Sequence, residues 1–343
     1  MSTSSRRIRI GTRASALALW QAEHVASILK DLPGAPDPEL VLIKTEGDRI
    51  QDVPLSTVQG KAFFTKEIED ALLRNQVDVA VPSLKDLATE MPPGLTLGAV
   101  MEREDPRDVL LFSQSHRSES LRTSPGGPPE YTGDAVQGAD GPPFTPDDLP
   151  AEARVGTSSL RRRALLARWR PDLVLAELRG NVPTRVRKLD TGDYDAIVLA
   201  AAGVKRLGLT HRISAYLPFD FFLPAVSQGA IGVQIRADDA DVAEWVGALD
   251  HGPTRVATAA ERALLRTMEG GCQVPVGAFG ELNGTGLRLR GVVCSVDGTR
   301  GVEGEISGAP GEAEGLGVAL AEDLLRRGGG RILDEIRGGS GEA

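Results

Sequence analysis

Ala153-Arg-Val-Gly-Thr-Ser-Ser-Leu-Arg-Arg162 reads as the end of a strand, a hydroxyl-rich turn and the first turn of an arginine-rich helix. The same order recurs along the chain. A strand at Arg6–Ile10 precedes the turn Gly11-Thr-Arg-Ala-Ser15 and a helix over Ala16–Lys30. Leu173–Leu178 precedes Arg179-Gly-Asn181 and a helix through Thr184–Leu189, and Asp195–Leu199 precedes Ala200–Gly203. Strands that repeatedly feed helices predict an α/β fold. Leu40–Lys44, Val77–Val81, Leu95–Val100 and Ile231–Ile235 supply further strands, and Phe64–Arg74 a further helix. Ser83 is placed to cap a short helix carrying Lys85 and Asp86. Leu17, Trp20, Val25 and Ile28 are expected along one face of the first helix.

Two regions depart from this rhythm. Ser113–Pro150 holds seven Pro and five Gly in 38 residues and shows no apolar periodicity. It is expected to be a mobile surface loop without a functional site. After Asp238, helices at Ala240–Leu249 and Thr254–Met268 precede strands at Val276–Leu282, Leu287–Val296 and Val302–Ser307 and a helix at Ala313–Arg327. That order predicts a separate small α+β domain.

The 343 residues suit two or three domains, and 41% hydrophobic residues suffice for real cores. Two cysteines, Cys272 and Cys294, are too few for a disulfide scaffold. No run is long and apolar enough to span a membrane, and the N-terminal residues lack the apolar centre of a signal peptide, so a cytoplasmic protein is expected. The four histidines have no zinc spacing, and no metal is expected. Walker A and dinucleotide fingerprints are absent.

The net charge of −9 argues against nucleic acid, but Arg154–Lys188 carries ten basic residues against Asp172 and Glu177. Trp169 is the single aromatic residue there, so stacking platforms for nucleic-acid bases are lacking. Ligands of open α/β sheets bind beyond the carboxyl ends of the strands. Arg13, Ser15, Thr157, Ser158, Ser159, Arg161, Arg162, Arg179 and Asn181 all fall there. Helix N-termini attract anions, and arginine adds bidentate carboxylate recognition. The pattern suits a small ligand with several carboxylates or phosphates. Ordinary helix caps and solvated helix faces would account for any one of these residues alone. Cys272, in Gly270-Gly-Cys-Gln-Val-Pro275, suits a reactive thiol as well as a small buried side chain; Cys294, in Val292-Val-Cys-Ser-Val296, reads as strand core.

Six stretches carry a resemblance in the same order along the chain. They are Gly11-Thr-Arg-Ala-Ser-Ala-Leu-Ala-Leu-Trp-Gln-Ala22, Glu102-Arg-Glu-Asp-Pro-Arg-Asp108, Val155-Gly-Thr-Ser-Ser-Leu-Arg-Arg162, Leu178-Arg-Gly-Asn-Val182, Leu223-Pro-Ala-Val-Ser-Gln-Gly-Ala230 and Glu269-Gly-Gly-Cys-Gln-Val-Pro275. Together they make the chain similar to the porphobilinogen deaminase (hydroxymethylbilane synthase) family. The resemblance implies a transferase of tetrapyrrole biosynthesis that joins four porphobilinogen molecules, releases ammonia and frees a linear tetrapyrrole. It implies a dipyrromethane cofactor on Cys272 through a thioether. It assigns Asp86 and Lys85 to catalysis. It assigns Arg13, Ser15, Thr157, Ser158, Ser159, Arg161, Arg162, Arg179, Arg185 and Arg206 to cofactor and substrate carboxylates. Asp48, Lys61 and Phe64 match a lid, and Gln228 a hinge. It implies three domains, residues 1–103 with 225–238, 104–224 and 239–343, the first two alike and similar to the lobes of periplasmic binding proteins. A monomer is expected, with porphobilinogen as its small-molecule partner. The chain departs from many relatives in Pro82, where histidine is frequent, and in the length of 113–150. A two-lobed anion-binding module without catalysis is the other reading. It leaves Cys272 and the Lys85/Asp86 pair unexplained.

Overall fold

The computed structural model describes residues 7–45, 65–113, 146–268 and 274–339. Asp48, Lys61, Phe64, Cys272 and most of the proline- and glycine-rich stretch lie outside them. Two five-stranded sheets share one plan. The first comprises β1 (Ile8–Thr12), β2 (Pro38–Leu42), β3 (Val79–Ala80), β4 (Leu95–Val100) and β10 (Gly232–Arg236), in the order β2-β1-β3-β10-β4. The second comprises β5 (Asp108–Phe112), β6 (Arg154–Gly156), β7 (Val174–Ala176), β8 (Ala196–Ala200) and β9 (Ala215–Tyr216), in the order β7-β6-β8-β5-β9. In each, three parallel strands are followed by one antiparallel strand. That fourth strand arrives from the other half of the chain: β5 directly follows the first lobe, and β10 follows the second. The chain therefore crosses between the lobes twice, at 101–107 and at 217–231.

Helices α1 (Ala16–Asp31), α2 (Lys66–Leu73), α3 (Leu160–Trp169), α4 (Val182–Asp190) and α5 (Ala201–Arg206) belong to these lobes. Helix α1 buries Gln21, Ala22, Val25 and Leu29, a face rotated from the expected one. Leu17 and Trp20 are only half-buried because they meet the second lobe: Arg206 of α5 lies 5.5 Å from the Trp20 ring centre. A helix wedged between two bodies has two apolar faces, and periodicity alone does not separate them.

The remaining chain forms α6 (Ala240–Gly247), α7 (Gly252–Thr267), β11 (Val276–Asn283), β12 (Gly286–Cys294), β13 (Gly301–Gly308), α8 (Ala313–Leu324) and α9 (Gly330–Gly339). The antiparallel sheet β11-β12-β13 packs on α7 and α8, and Cys294 is buried in strand core. Helix α6, grouped by its sequence position with the C-terminal domain, packs Val242 and Val246 into the first-lobe core beside Ile8 and Val25. The far end of the 113–150 stretch is docked: Leu149 is buried, and Arg170 donates to the carbonyls of Pro146 and Leu149 at 2.7 and 3.1 Å.

Asp78 anchors the first sheet from below. It accepts from Arg9 Nε and Nη2 at 2.9 and 2.8 Å and from Arg236 at 3.0 Å. Burial alone would raise its pKa, but these donors bring it down to about 2. A carboxylate held below its unfolded value stabilises the fold above that value and loses the contribution as pH falls through the folded value. Asp78→Asn should therefore cost about 2 kcal/mol at neutral pH, with the deficit shrinking as pH drops from about 4 toward 2. Urea unfolding across that range checks this; parallel wild-type and variant curves would refute it.

Candidate active site

The turn after β3 sets the two central side chains. Leu84 and Leu87 are buried against Val100 and Ala230. Leu84 N–H donates to the Ala230 carbonyl at 3.0 Å. With those positions facing inward, Lys85 and Asp86 of the turn Leu84–Asp86 are left facing the cleft. The expected Ser83 cap is absent; its hydroxyl accepts from Gln21 Nε2 at 2.9 Å instead. Pro82 fits because only its carbonyl is used here, accepting from Gly232 N–H at 3.0 Å.

Asp86 lines a cleft with Arg13, Ser15, Thr65 and Ser83. Burial raises its pKa, while Lys85, Arg13 and Arg185 pull it back toward the charged form. Burial lowers Lys85 to about 8; Asp86 and Asp108 oppose this, and Arg162 and Arg161 add to it. Arg185 is lowered to about 10 by burial and by Arg162 and Arg179 beside it. Among the described residues, Asp86 is the carboxylate that Arg13, Lys85 and Arg185 share in this partly desolvated space.

The strand-end turns of both lobes place polar groups around these cations. Ser15 caps α1, Ser159 caps α3 and Asn181 caps α4, each accepting from the N–H three residues on. Thr157 Oγ1 accepts from Ser159 N–H at 3.3 Å. Ser158 Oγ donates to the Leu178 carbonyl at 2.8 Å and accepts from its N–H at 3.1 Å, so it ties two turns together. Arg185 Nε donates to the Gly180 carbonyl at 2.7 Å, and Arg179 lies 3.7 Å from Glu177.

Arg161 and Arg162 are placed otherwise. Both are nearly fully buried, and each lies 2.7 Å from an oxygen of Asp108, which is 0% exposed. Arg161 also donates to the Leu223 carbonyl and Arg162 to that of Val198. Burial alone would raise Asp108, but the two guanidiniums hold it well below the usual carboxylate range. Arg161 Nε is buried with no hydrogen-bond acceptor among the described residues. Gln228 donates to Asp108 and accepts from Lys85 at 3.3 Å, joining this pair to the cleft. Arg206 sits apart, over Trp20 and donating to the Gly229 carbonyl at 2.7 Å; burial lowers it to about 10 against Glu104.

Asp108 is the residue that sequence reasoning left without a role. Its signal was an acid directly before the apolar run Val109–Phe112. The donor set fits a bound group with several carboxylates: Arg185, crowded by Arg162 and Arg179, and Arg161 Nε, without an acceptor among the described residues, both suit anionic acceptors. Among the described residues there is no cluster able to hold a metal ion.

The two kinds of arginine predict opposite stability effects. Arg161→Leu leaves Asp108 buried with half its counter-charge and should cost about 3–5 kcal/mol. Arg185→Met relieves like-charge crowding and loses one hydrogen bond, so its cost should stay below about 1 kcal/mol. Chemical denaturation of the two variants compares them; equal costs would contradict this division.

The family model "Porphobilinogen deaminase, dipyromethane cofactor binding domain" matches residues 8–244, and "Porphobilinogen deaminase, C-terminal domain" matches 256–326. A porphobilinogen deaminase of Pelobacter propionicus is 49% identical over 331 residues, covering 96% of this chain and 97% of the relative. One of Syntrophomonas wolfei is 48% identical over 332 residues, covering 97% and 99%. Among solved structures, the periplasmic VFT2 domain of Bordetella pertussis BvgS aligns with a TM-score of 0.39 at 14% identity, over 70% of this chain and 85% of that one. With both family models matched in sequence order and near half identity kept over almost the full length, the chain belongs to the porphobilinogen deaminase family.

Proposed function

We propose that this chain is a hydroxymethylbilane synthase. It joins four porphobilinogen molecules head to tail, releases ammonia and frees the linear tetrapyrrole, as a cytoplasmic monomer in porphyrin and haem biosynthesis. The observation that carries this reading is Asp86, set among Arg13, Lys85 and Arg185 in one partly desolvated cleft. Each porphobilinogen brings an acetate and a propionate, and the cations gathered around Asp86 suit those groups in charge. When bound, the dipyrromethane cofactor supplies the pyrrole from which the product chain is built, and Cys272 is its thioether anchor.

The chain's own groups divide the work. Arg13, Lys85, Arg179 and Arg185 bind carboxylates, with Ser15, Thr157, Ser158 and Ser159 shaping the turns that present them. Arg161, Arg162 and Arg206 serve the same anions from more buried positions. Asp86 accepts from the pyrrole N–H of substrate and stabilises the positive charge that develops as ammonia departs. A fixed carboxylate in a water-poor cleft is effective there because its orientation costs nothing at the moment of reaction. Asp48, Lys61 and Phe64 act as a lid, and Gln228 spans the crossing between the lobes. A two-lobed binding module would need the cations but neither Asp86 nor Cys272.

Two outcomes test this. Purified from cells that make porphobilinogen, the protein should carry the added mass of two linked pyrrole units; Cys272→Ala should lack it and Cys294→Ala should keep it. An unmodified wild-type mass sinks the assignment. Asp86→Asn should fold and load the cofactor but turn over about a hundredfold more slowly or worse. Because burial raises the Asp86 pKa, wild-type turnover should fall at a pH above the ordinary aspartate range as the carboxylate is neutralised. Single-turnover rates across acid pH read both effects, and a normal rate for Asp86→Asn removes it from the chemistry.

A further inference from the structure

Three side chains of the site converge on Asp108. Arg161 and Arg162 each approach it at 2.7 Å, and Gln228 Nε2 donates to it at 3.0 Å. The same amide nitrogen donates to the Pro106 carbonyl at 2.8 Å. Both amide hydrogens of Gln228 are thus directed at acceptors, which turns its oxygen toward Lys85 Nζ at 3.3 Å. The flipped amide would set its oxygen against a carboxylate and its NH₂ against an ammonium. Electrostatics alone therefore fixes the orientation, and Asp108 supplies the stronger of the two acceptors that do so.

We propose that Asp108 is a positioning residue for Lys85: through Gln228 it aims the acceptor that holds the Lys85 ammonium, and its charge offsets the two buried guanidiniums that disfavour that ammonium. This rests on the reading of Lys85 as a cation of the carboxylate site. Three parts of the structure meet here. Asp108 opens β5 at the first crossing, Gln228 lies on the second crossing, and Lys85 belongs to the first lobe. Among the described residues, the charged groups that act on Lys85 are Asp86 beside it, Asp108 from β5, and Arg161 and Arg162 from α3. Arg13 and Arg185 act on its neighbour Asp86. Burial brings Lys85 down to about 8, so the charge around it bears on its ammonium form. Asp108 does not touch the cleft, being 0% exposed. Its effect on substrate runs entirely through Lys85 and the arginines.

The test reads Lys85 itself. The cofactor-bearing protein is pulsed with acetic anhydride over a range from neutral to strongly alkaline pH, and acetylation of the Lys85 peptide is quantified by mass spectrometry, with a thermal melt of each variant. Asp108→Asn should lower the midpoint of Lys85 acetylation by about one pH unit, whereas Asp108→Glu, which keeps the charge, should stay within about half a unit of wild type. The double variant Asp108→Asn/Gln228→Glu moves the carboxylate next to Lys85 and gives it an amide donor at 108. Its midpoint should return at least to the wild-type value. A folded Asp108→Asn protein with an unchanged midpoint overturns the proposal, as does a double variant that stays as low as the single one. If Asp108→Asn does not fold, Gln228→Met leaves the Asp108–arginine pairs in place and cuts the link. Its midpoint must fall, and an unchanged one overturns the proposal equally. The readout needs no turnover, so a failed activity assay with the expected midpoints would reject the functional reading and leave this one standing.

Discussion

The buried carboxylate of Asp108 is the constraint on which the site is built. A cleft meant for polyanions needs many cations close together, and cations packed out of water repel one another and lose hydration. Asp108 answers this for Arg161 and Arg162 by placing one fully desolvated negative charge 2.7 Å from each. Both guanidiniums and the Gln228 amide hold it in the charged form against burial. Removing Asp108 would leave both buried guanidiniums without this counter-ion. The same carboxylate fixes Gln228, and Gln228 reaches Lys85, so a structural charge pair and the reacting cleft share one hydrogen-bond chain.

That chain runs through the place where the polypeptide crosses between lobes, and a second buried acid secures the crossing from the other side. Glu261 of α7 is 0% exposed and accepts from Arg103 Nη1 at 2.6 Å, Ser227 N–H at 2.6 Å and Gly280 N–H at 2.8 Å. It thereby binds the first crossing, the second crossing and the C-terminal sheet to one point. Gly229 is required beside it: its φ is +90°, and a Cβ there would stand 2.3 Å from the Glu104 carbonyl oxygen. Lys205 of α5 reaches Glu104 at 2.5 Å, and Arg206 reaches the Gly229 carbonyl at 2.7 Å. Both crossings are therefore clamped at their polar groups, and the second also buries Leu217, Phe222, Leu223 and Val226 in the cores on either side.

What could be read from the sequence divides along physical lines. Local rules sufficed where local forces decide: β4 falls on Leu95–Val100, and Ser15, Ser159 and Asn181 cap the helices that their positions suggested. They failed where a distant partner decides. Strand β5 was missed because its five residues, buried throughout, carry no alternation and run directly into the proline- and glycine-rich stretch. The Ser83 hydroxyl is drawn from its own helix by Gln21, 62 residues away. Ser158 looked like part of an anion-binding turn, and its hydrogen bonds instead join that turn to the next. The clustering of arginines was legible as charge, but their division was not. Composition cannot say that Arg161 and Arg162 face Asp108 while Arg185 lies near Asp86 and the cations Arg162 and Arg179.

That division decides how the site can exist without its ligands and still hold them. If every arginine were matched by an internal carboxylate, incoming carboxylates would have to displace it and would gain little. If none were matched, the desolvated cations would oppose folding. The structure separates the cases by depth. Arg161 and Arg162, nearly closed off from solvent, have a fixed counter-ion. Arg185 and Lys85, at the cleft, are left with burial and like charge depressing them to about 10 and about 8. On the proposed function, an arriving carboxylate would relieve this strain, so its binding would recover part of a cost already met in the folded state. Buried charge pairs tend to favour a defined arrangement over raw stability. Here the contacts around Asp108 hold Arg161 and Arg162 in place beside Lys85, and Gln228 carries that order to the Lys85 ammonium.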